Sequence, residues 1–293
     1  MSGASRDSDP HFLHAARALE GLLSPPVDHP RALAWRSDGE GVFVASSDGR
    51  VSLTEPAFGT RTAFKVRPDP VQLAVRGALL AVLGRDGVVE VWDHAAAERR
   101  WEQPTGLLAN LALKWWAGGV AVVGDDVEGR RVVVYNTKGE RRARARVPPR
   151  TALGTDAEGR LQLARSTPTG LVVTRFGEPL PAGEATAHAL RFGVGGAVLG
   201  IAPGGVTLWR GGESPVNVKL YDVVNAALTP DGKHIALGTR TGAVALASAK
   251  PGAGQRVNPS QVEGHDGPVI ALAFSPRGRW LASAAERCWV WSY

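Results

Sequence analysis

The sequence contains few of the residues on which disulfide and metal chemistry depend. Cys288 is the only cysteine, which excludes an intrachain disulfide and a cysteine-rich zinc site. A chain without disulfides is typical of a reducing compartment. The seven histidines are scattered, and His11 and His14, which are neighbours in sequence, supply only two ligands. Two ligands do not make a metal site, so we expect no metal and no cofactor.

Long apolar runs and targeting patterns are also missing. No uninterrupted apolar run approaches the ~20 residues needed to cross a bilayer. Residues 1–10 are polar and lack the basic and apolar regions of a signal peptide. We therefore expect a cytoplasmic protein that does not enter a membrane. Within it we predict a disordered stretch over 1–11 and a single domain over 12–293.

Sequence motifs of common enzyme classes are absent as well. The chain has neither a G-x-S-x-G elbow nor a phosphate-binding P-loop. The glycine-rich stretch FGVGGAVLG at 192–200 has Val198 where a dinucleotide-binding loop needs its third glycine. It also lies between two predicted strands instead of before a helix, which favours a hairpin. We therefore expect no small-molecule substrate.

The charge is moderate. The chain has 34 lysines and arginines against 28 acidic residues, a net charge of +6. This balance permits contact with nucleic acid without requiring it. The excess of arginine over lysine, with frequent alanine, suggests a GC-rich genome, and the composition is similar to that of bacterial proteins.

Short repeats dominate what the sequence does contain. The segments AWRSDG at 34–39, ALTPDG at 227–232 and AFSPRG at 273–278 each join two apolar stretches by a turn. The second and third copies lie 46 residues apart, and the first and second are separated by about five periods of roughly 39. Weaker copies give seven predicted strand pairs, at 31–46, 71–83, 108–123, 151–164, 187–201, 223–237 and 268–283.

A third strand follows each pair after a turn that contains glycine or aspartate. Examples are RVSLT after Asp48-Gly49 and VVEVWD after Asp86-Gly87. Strands at this density, without a long helical pattern in the central part of the chain, predict an all-β fold.

The period, the Gly264-His265 and Trp92-Asp93 pairs and the S-P-x-G turns resemble those of the WD-repeat family of β-propellers. The resemblance covers roughly residues 15–293 and is strongest at 261–293 and 31–54. It implies a seven-bladed β-propeller with four-stranded antiparallel blades. It also implies structural roles for Trp92, Asp93, His265, Ser283 and Trp291. The last three would form a hydrogen-bonded network, with Glu286 in place of the usual aspartate.

The end of the chain raises a question of ring closure. The last repeat contains three strand patterns, near 268–274, 280–284 and 287–292, whereas a propeller blade has four strands. We predict that residues near 12–20 supply the fourth strand. The alternative is a short helix at 11–23, because Phe12, Ala16, Leu19 and Leu23 follow helical spacing.

Candidate contact residues follow from the resemblance and the register. In this family, partners usually dock where the turns between second and third strands and the connections between blades lie. There we predict partner contacts by Arg50, Arg85, Arg130, Arg240 and Arg287. Trp115 and Trp116 are predicted in a turn on the opposite face, where one of them, exposed, would anchor a partner.

The stretch RRARARV at 141–147 is predicted to be the outer strand of the third blade. Alternation puts Arg142, Arg144 and Arg146 on one side. They form either an anion-binding ridge for nucleic acid or an acidic partner, or an edge that discourages unwanted pairing.

The resemblance to WD-repeat proteins implies a non-catalytic scaffold that binds one or more proteins, and we expect it to be a subunit of a signalling or defence-type complex. Nucleic-acid binding through 141–147 is a less favoured hypothesis. A hydrolase with a site in the central channel, using Asp125, Asp126, Asp48, Asp86 or Glu286, is the other alternative.

Overall fold

The chain folds into a ring of seven sheets. The computed structural model describes residues 29–55, 59–180, 185–249 and 264–292, together with the backbone of 255–256. Consecutive strands in each sheet pair antiparallel, and the sheets follow one another along the chain as blades 1 to 7. The predicted seven-bladed β-propeller is therefore confirmed.

Blades 1 to 3 have four strands each, ordered from the inner to the outer edge of the sheet. They are β1 (Pro30–Trp35), β2 (Val42–Ser46), β3 (Arg50–Glu55), β4 (Gly59–Lys65), β5 (Pro70–Arg76), β6 (Leu79–Gly84), β7 (Val88–Asp93), β8 (Glu98–Pro104), β9 (Ala109–Trp116), β10 (Gly119–Asp126), β11 (Gly129–Asn136) and β12 (Arg141–Arg146).

The other blades have three or four strands within the described ranges. They are β13 (Ala152–Thr155), β14 (Leu161–Thr167) and β15 (Gly170–Arg175) in blade 4; β16 (Ala189–Phe192), β17 (Val198–Ala202), β18 (Gly205–Trp209) and β19 (Val216–Lys219) in blade 5; β20 (Val223–Leu228), β21 (His234–Thr239) and β22 (Val244–Ser248) in blade 6; and β24 (Ala271–Phe274), β25 (Trp280–Ala284) and β26 (Cys288–Ser292) in blade 7. A two-residue strand, β23 (Gln255–Arg256), pairs parallel with β19.

Each blade is buried on both faces, because it packs between two neighbours. Strand β2 shows the consequence, since all five of its residues are buried. The buried apolar residues form seven clusters, one in each seam between adjacent blades. The hydrophobic core is therefore a ring of seams around the axis.

The seam between blades 7 and 1 closes the ring. Leu33 and Val44 of blade 1 pack there with Ala282 and Val290 of blade 7. In addition, Nε1 of Trp35 donates a hydrogen bond to the carbonyl oxygen of Ala273 at 2.9 Å. First and last blades are thus joined by the same kind of apolar packing as any other pair.

The prediction for Trp115 and Trp116 is wrong about their place in the fold. Both belong to strand β9, not to a turn. Trp115 packs in the seam with blade 2, where Nε1 donates to the carbonyl oxygen of Ala74 at 2.9 Å. Trp116 packs against the seam with blade 4. Adjacent residues of a strand point to opposite faces, and because both faces of a blade are buried, both indoles point inward.

Two other local predictions are confirmed. The stretch 192–200 forms a hairpin, in which β16 and β17 are joined by a short 3-10 turn at Val194–Gly196. The arginine-rich stretch forms β12, the outer strand of blade 3. The predicted N-terminal strand near 12–20, and the alternative helix at 11–23, lie outside the described residues.

Candidate interaction surface

Strand order places two sets of loops at one end of the ring. Because the strands of a blade alternate in direction, the turn between second and third strands lies at the same end as the connection to the next blade. We call this end the connection face, and the other end the opposite face. The connection face is where the sequence predicted partner contacts.

Backbone hydrogen bonds join the two sets of loops on the connection face. We call the turn between the second and third strands of a blade its second turn. In three blades, the carbonyl oxygen of the glycine in this turn accepts a hydrogen bond from the connection to the next blade. The bonds run from the N–H groups of Val66, Thr105 and His265 to the carbonyls of Gly49, Gly87 and Gly242, at 2.8, 2.9 and 3.0 Å.

These three positions require glycine for two reasons. Each has a positive φ, of 85°, 75° and 97° for Gly49, Gly87 and Gly242. A Cβ at Gly87 would lie only 2.1 Å from the carbonyl oxygen of Leu107. The close approach holds the loops of the connection face at fixed positions.

Aspartates order the same turns. Asp48 Oδ1 accepts hydrogen bonds from Ser46 Oγ at 2.7 Å and from the N–H of Arg50 at 2.9 Å. The N–H of Arg50, followed by the hydroxyl of Ser46, lowers the pKa of the Asp48 carboxyl. Asp86 accepts the N–H of Val88 in the corresponding turn of blade 2, at 3.1 Å. These carboxylates are held in turns.

Blade 3 carries a cluster of four charged residues on the connection face. Asp126 Oδ2 accepts hydrogen bonds from Arg144 at 2.7 Å and from Arg131 Nε at 2.8 Å. Arg131 also pairs with Glu128. The hydrogen bond from Arg144, together with the N–H of Glu128 and with Arg131, lowers the pKa of Asp126 to about 2. Asp126 is therefore ionised at any physiological pH.

An open cleft of about 440 Å³ lies over this cluster. Its charged lining is Asp126, Glu128, Arg131 and Arg144, and its apolar lining includes Leu108 and Val127. Leu108 is 64% exposed and Val127 is 90% exposed. The cleft thus combines satisfied ion pairs with apolar side chains that contact little of the described protein.

The five predicted contact arginines lie on the connection face in different states. Arg50, Arg85, Arg240 and Arg287 are exposed. Arg130 is mostly buried, because its side chain is only 11% exposed. It pairs with Asp125 at 3.0 Å and donates to the carbonyl oxygen of Thr151 at 3.0 Å. Arg50 lies 3.5 Å from Asp48.

The three arginines of strand β12 share one side, as the alternation predicts. Arg142, Arg144 and Arg146 are exposed, and the intervening alanines are partly buried. Two of the three have acidic partners: Arg142 pairs with Glu140 at 2.9 Å and Arg144 with Asp126 at 2.7 Å. Acidic partners thereby compensate two of the four arginines of this strand.

The structure brings together the residues of the predicted network in blade 7. Ser283 Oγ lies 2.8 Å from His265 Nε2 and accepts the N–H of Trp291 at 2.9 Å. His265 Nδ1 lies 3.4 Å from Glu286. Desolvation lowers the pKa of His265, and Glu286 opposes that effect. All three members of the network are buried, so it stabilises the blade and is inaccessible to a partner.

In blade 2 the equivalent tryptophan has another partner, which the sequence analysis missed. Trp92 donates to Glu90 Oε2 at 2.7 Å. Glu90 also accepts the N–H of Arg67 at 3.1 Å. Asp93 orders the next turn by accepting the N–H of Ala95 at 3.1 Å, and it pairs with Arg100 at 2.7 Å. The signal for Glu90 was its acidic side chain in the middle of an apolar strand.

Potential metal ligands are dispersed in the described residues. In the described part of the chain, no three His, Cys, Asp or Glu side chains are grouped as a metal site would require. The carboxylates considered for a hydrolase are engaged in turns or in ion pairs, as Asp125 is with Arg130. No described helix is long and apolar enough to cross a membrane.

Comparison with known proteins adds one finding. The family model of the WD domain, G-beta repeat (WD40) matches residues 257–291, the repeat that contains the His265–Ser283–Trp291 network. No curated protein matches the chain. The matched repeat and the ring of seven blades together identify the chain as a WD-repeat β-propeller.

Proposed function

We propose that this protein is a non-catalytic scaffold that binds a protein partner through the connection face. The observation that carries the proposal is the distribution of exposed apolar side chains. Five large apolar residues are exposed in the described ranges, and four of them lie in loops of the connection face. These four are Leu108, Val127, Tyr221 and Ile270, exposed by 64%, 90%, 79% and 41%.

The topology explains why these residues belong together. Leu108 lies in the connection from blade 2 to blade 3, and Val127 in the turn between β10 and β11. Tyr221 and Ile270 lie in the connections that enter blades 6 and 7. The fifth exposed residue, Val173, lies within strand β15. Apolar side chains gathered at one end of a rigid ring are typical of an interaction surface.

The charges around the cleft indicate the kind of partner. Leu108 and Val127 flank ion pairs that Asp126 forms with Arg131 and Arg144. Protein interfaces combine apolar anchors with a polar rim in this way. The phosphate backbone of a nucleic acid would be repelled here by the carboxylates of Asp126 and Glu128. The partner we propose is therefore a protein with apolar side chains that cover Leu108 and Val127.

Exposed arginines extend the same surface. Arg85 and Arg240 lie in the second turns of blades 2 and 6, and within the described residues neither guanidinium has an acidic partner. Arginine is enriched at protein interfaces, where its planar guanidinium pairs with carboxylates. We propose that Arg85 and Arg240 contact acidic side chains of the partner.

The non-catalytic assignment rests on how the carboxylates are used. Asp48 and Asp86 order turns, and Asp125 and Asp126 are bound to arginines. A general base needs a pKa near the working pH. The pKa of Asp126, at about 2, is far below that range. We propose that any catalytic output comes from a partner, in a signalling or defence-type complex in the cytoplasm.

The test is capture of partners from the source organism at moderate salt. We expect the wild-type chain to retain a stoichiometric protein partner. The Leu108→Glu, Val127→Glu variant should lose it, because two charges would replace the apolar anchors. Val173→Glu is the matched control, since Val173 is 37% exposed but lies on a strand, and this variant should retain the partner.

Three outcomes contradict the proposal. Equal retention by the Leu108/Val127 variant and the Val173 variant would exclude the connection face. Capture of nucleic acid alone, released steeply as salt rises, would instead support the hypothesis for strand β12. Capture of neither would contradict a constitutive subunit.

A further inference from the structure

One position recurs in the innermost strand of every blade. The side chain at this position faces the following blade of the ring. The next residue in the sequence packs into the seam with the preceding blade. In five blades this position is alanine, and in blades 3 and 5 it is a cation. The residues, in blade order, are Ala34, Ala74, Lys114, Ala152, Arg191, Ala227 and Ala273.

The packing confirms that these positions are equivalent. Ala34 and Ala152 pack in the seams that their blades form with the next blade. The residues that follow them, Trp35 and Leu153, pack in the seams with the previous blade. Lys114 obeys the same rule, because Trp115 packs toward blade 2. Two long cationic side chains therefore replace a methyl group in an otherwise repeated environment.

No acidic group nearby explains these cations. The seven innermost strands contain no aspartate and no glutamate. Among the described residues, neither Lys114 nor Arg191 has a carboxylate within ion-pair distance. The hydrogen bond of Arg191 goes to the carbonyl oxygen of Leu190, at 3.2 Å. Neither cation is therefore neutralised by a carboxylate of the described residues.

The surroundings of the two side chains indicate that they lie at the central channel of the ring. Innermost strands line the axis of a propeller. Arg191 is exposed to solvent and Lys114 is partly exposed. Desolvation nevertheless lowers the pKa of both side chains. A side chain that meets solvent and is still surrounded by protein on most sides lies in an enclosed, water-filled passage.

Unpaired cations in such a passage favour an anion. Attraction between charges is stronger where protein replaces part of the water. The ammonium of Lys114 offers three donors, and the guanidinium of Arg191 offers a planar set that matches phosphate oxygens. The two residues lie two blades apart in the ring of seven. A ligand that meets both therefore needs several charged oxygens.

We propose that the central channel binds a compact polyphosphate-type anion between Lys114 and Arg191. This site is separate from the connection face, so it provides a second ligand that the scaffold carries in addition to its protein partner. The channel is lined by strands and not by loops, which limits the ligand to a small molecule.

The experiment uses the full chain and inorganic tripolyphosphate as the probe, at low salt. Calorimetry should give binding to one site in the wild type, with a matching rise in the melting temperature. The Lys114→Ala, Arg191→Ala variant should weaken the affinity by roughly tenfold or more, because each cation contributes charged hydrogen bonds. Alanine is the natural residue at this position in the other five blades, so the variant should keep the fold.

The matched control is Arg142→Ala, Arg146→Ala, which removes two positive charges from the outer strand β12. It should retain the tripolyphosphate site. Absence of binding in the wild type would overturn the proposal, and so would equal loss in the two double variants. If the alanine variant fails to fold by circular dichroism, Lys114→Met with Arg191→Met keeps an unbranched apolar side chain at both positions and tests the same charges. Failure here leaves the connection-face experiment unaffected, because that experiment measures a different surface.

Discussion

Trp92 donates the N–H of its indole to Glu90 Oε2, 2.7 Å away and two residues earlier in strand β7. Glu90 is 1% exposed. Its other oxygen accepts the N–H of Arg67 at 3.1 Å and lies 3.8 Å from the guanidinium of Arg99. The same guanidinium lies 5.8 Å from the centre of the Trp92 ring. One buried carboxylate therefore joins strand β7 to the connection between blades 1 and 2.

Removal of Glu90 should destabilise the protein strongly. Glu90→Ala leaves two partly buried N–H groups without an acceptor and opens a cavity at a side chain that is 1% exposed. We expect a loss of about 3–5 kcal/mol in the free energy of unfolding, measured by urea denaturation. Glu90→Gln keeps the shape and one acceptor oxygen, so its loss should be smaller. Equal and small losses for both variants would show that the carboxylate is not a structural link.

The hydrogen-bond network of blade 7 predicts that loss of the Ser283 hydroxyl destabilises the protein. Ser283→Ala deprives Trp291 Nε1 of its acceptor in a buried site. The unfolding free energy should fall by about 1–3 kcal/mol. Ser214→Ala, at an exposed position, is the control and should change it little. A Ser283 variant as stable as this control would contradict the importance of the network.

The same network predicts a pH dependence of stability. The folded pKa of His265 is lowered by desolvation, whereas a histidine in the unfolded chain titrates near about 6.5. The unfolded chain therefore binds the proton first as the pH falls. The contribution of His265 to stability is complete above about pH 6.5 and decreases as the pH falls toward the folded pKa. In His265→Gln this part of the pH dependence, measured by urea denaturation, should disappear.

Cys288 reports on the seam that closes the ring. The thiol is 2% exposed and packs between blades 7 and 1. Burial raises its pKa to about 12, so almost no thiolate is present at neutral pH. A thiol reagent should label the native protein slowly and the urea-unfolded protein at once. Trp35→Phe, which removes the hydrogen bond to blade 7, should speed native labelling. Rapid labelling of the native wild type would contradict the closed seam.

Arg144 should control the acidity of Asp126. The hydrogen bond from Arg144 is the largest cause of the low pKa of about 2. Arg144→Ala should raise that pKa toward the usual range, as measured by carboxyl NMR titration. The stabilisation that Asp126 contributes is present above about pH 4 and is lost as the pH falls toward the folded pKa. Arg142→Ala is the control, since Arg142 pairs with Glu140, and it should leave the pKa of Asp126 unchanged.

Local patterns in the sequence predicted the strand pairs and the all-β class, and the resemblance to the WD-repeat family implied the ring of seven blades. All seven strand pairs were found from the alternation of apolar stretches with Asp- and Gly-containing turns, which depends only on neighbouring residues. The match of residues 257–291 to the WD40 repeat lies where the resemblance is strongest. The outer position of the arginine-rich strand followed from its order in the blade.

Pairings between distant residues were decided only by the tertiary structure. Both faces of a blade are buried once the neighbouring blades pack on them. Trp115 and Trp116 are adjacent in strand β9, so their indoles pack in the seams on opposite faces of blade 3. Arg130 is held at the surface by Asp125 and by the carbonyl of Thr151, whereas the sequence shows only that it is charged.

The exposed group formed by Leu108, Val127, Tyr221 and Ile270 also escaped the sequence analysis, because apolar residues in loops have no period that marks them as unburied. The equivalence of Lys114 and Arg191 with five alanines became visible only in the strand register. Local chemistry thus determined which segments become strands and turns. Long-range packing decided which side chains remain exposed and unpaired, because exposure and ion pairing depend on residues that are far apart in the chain.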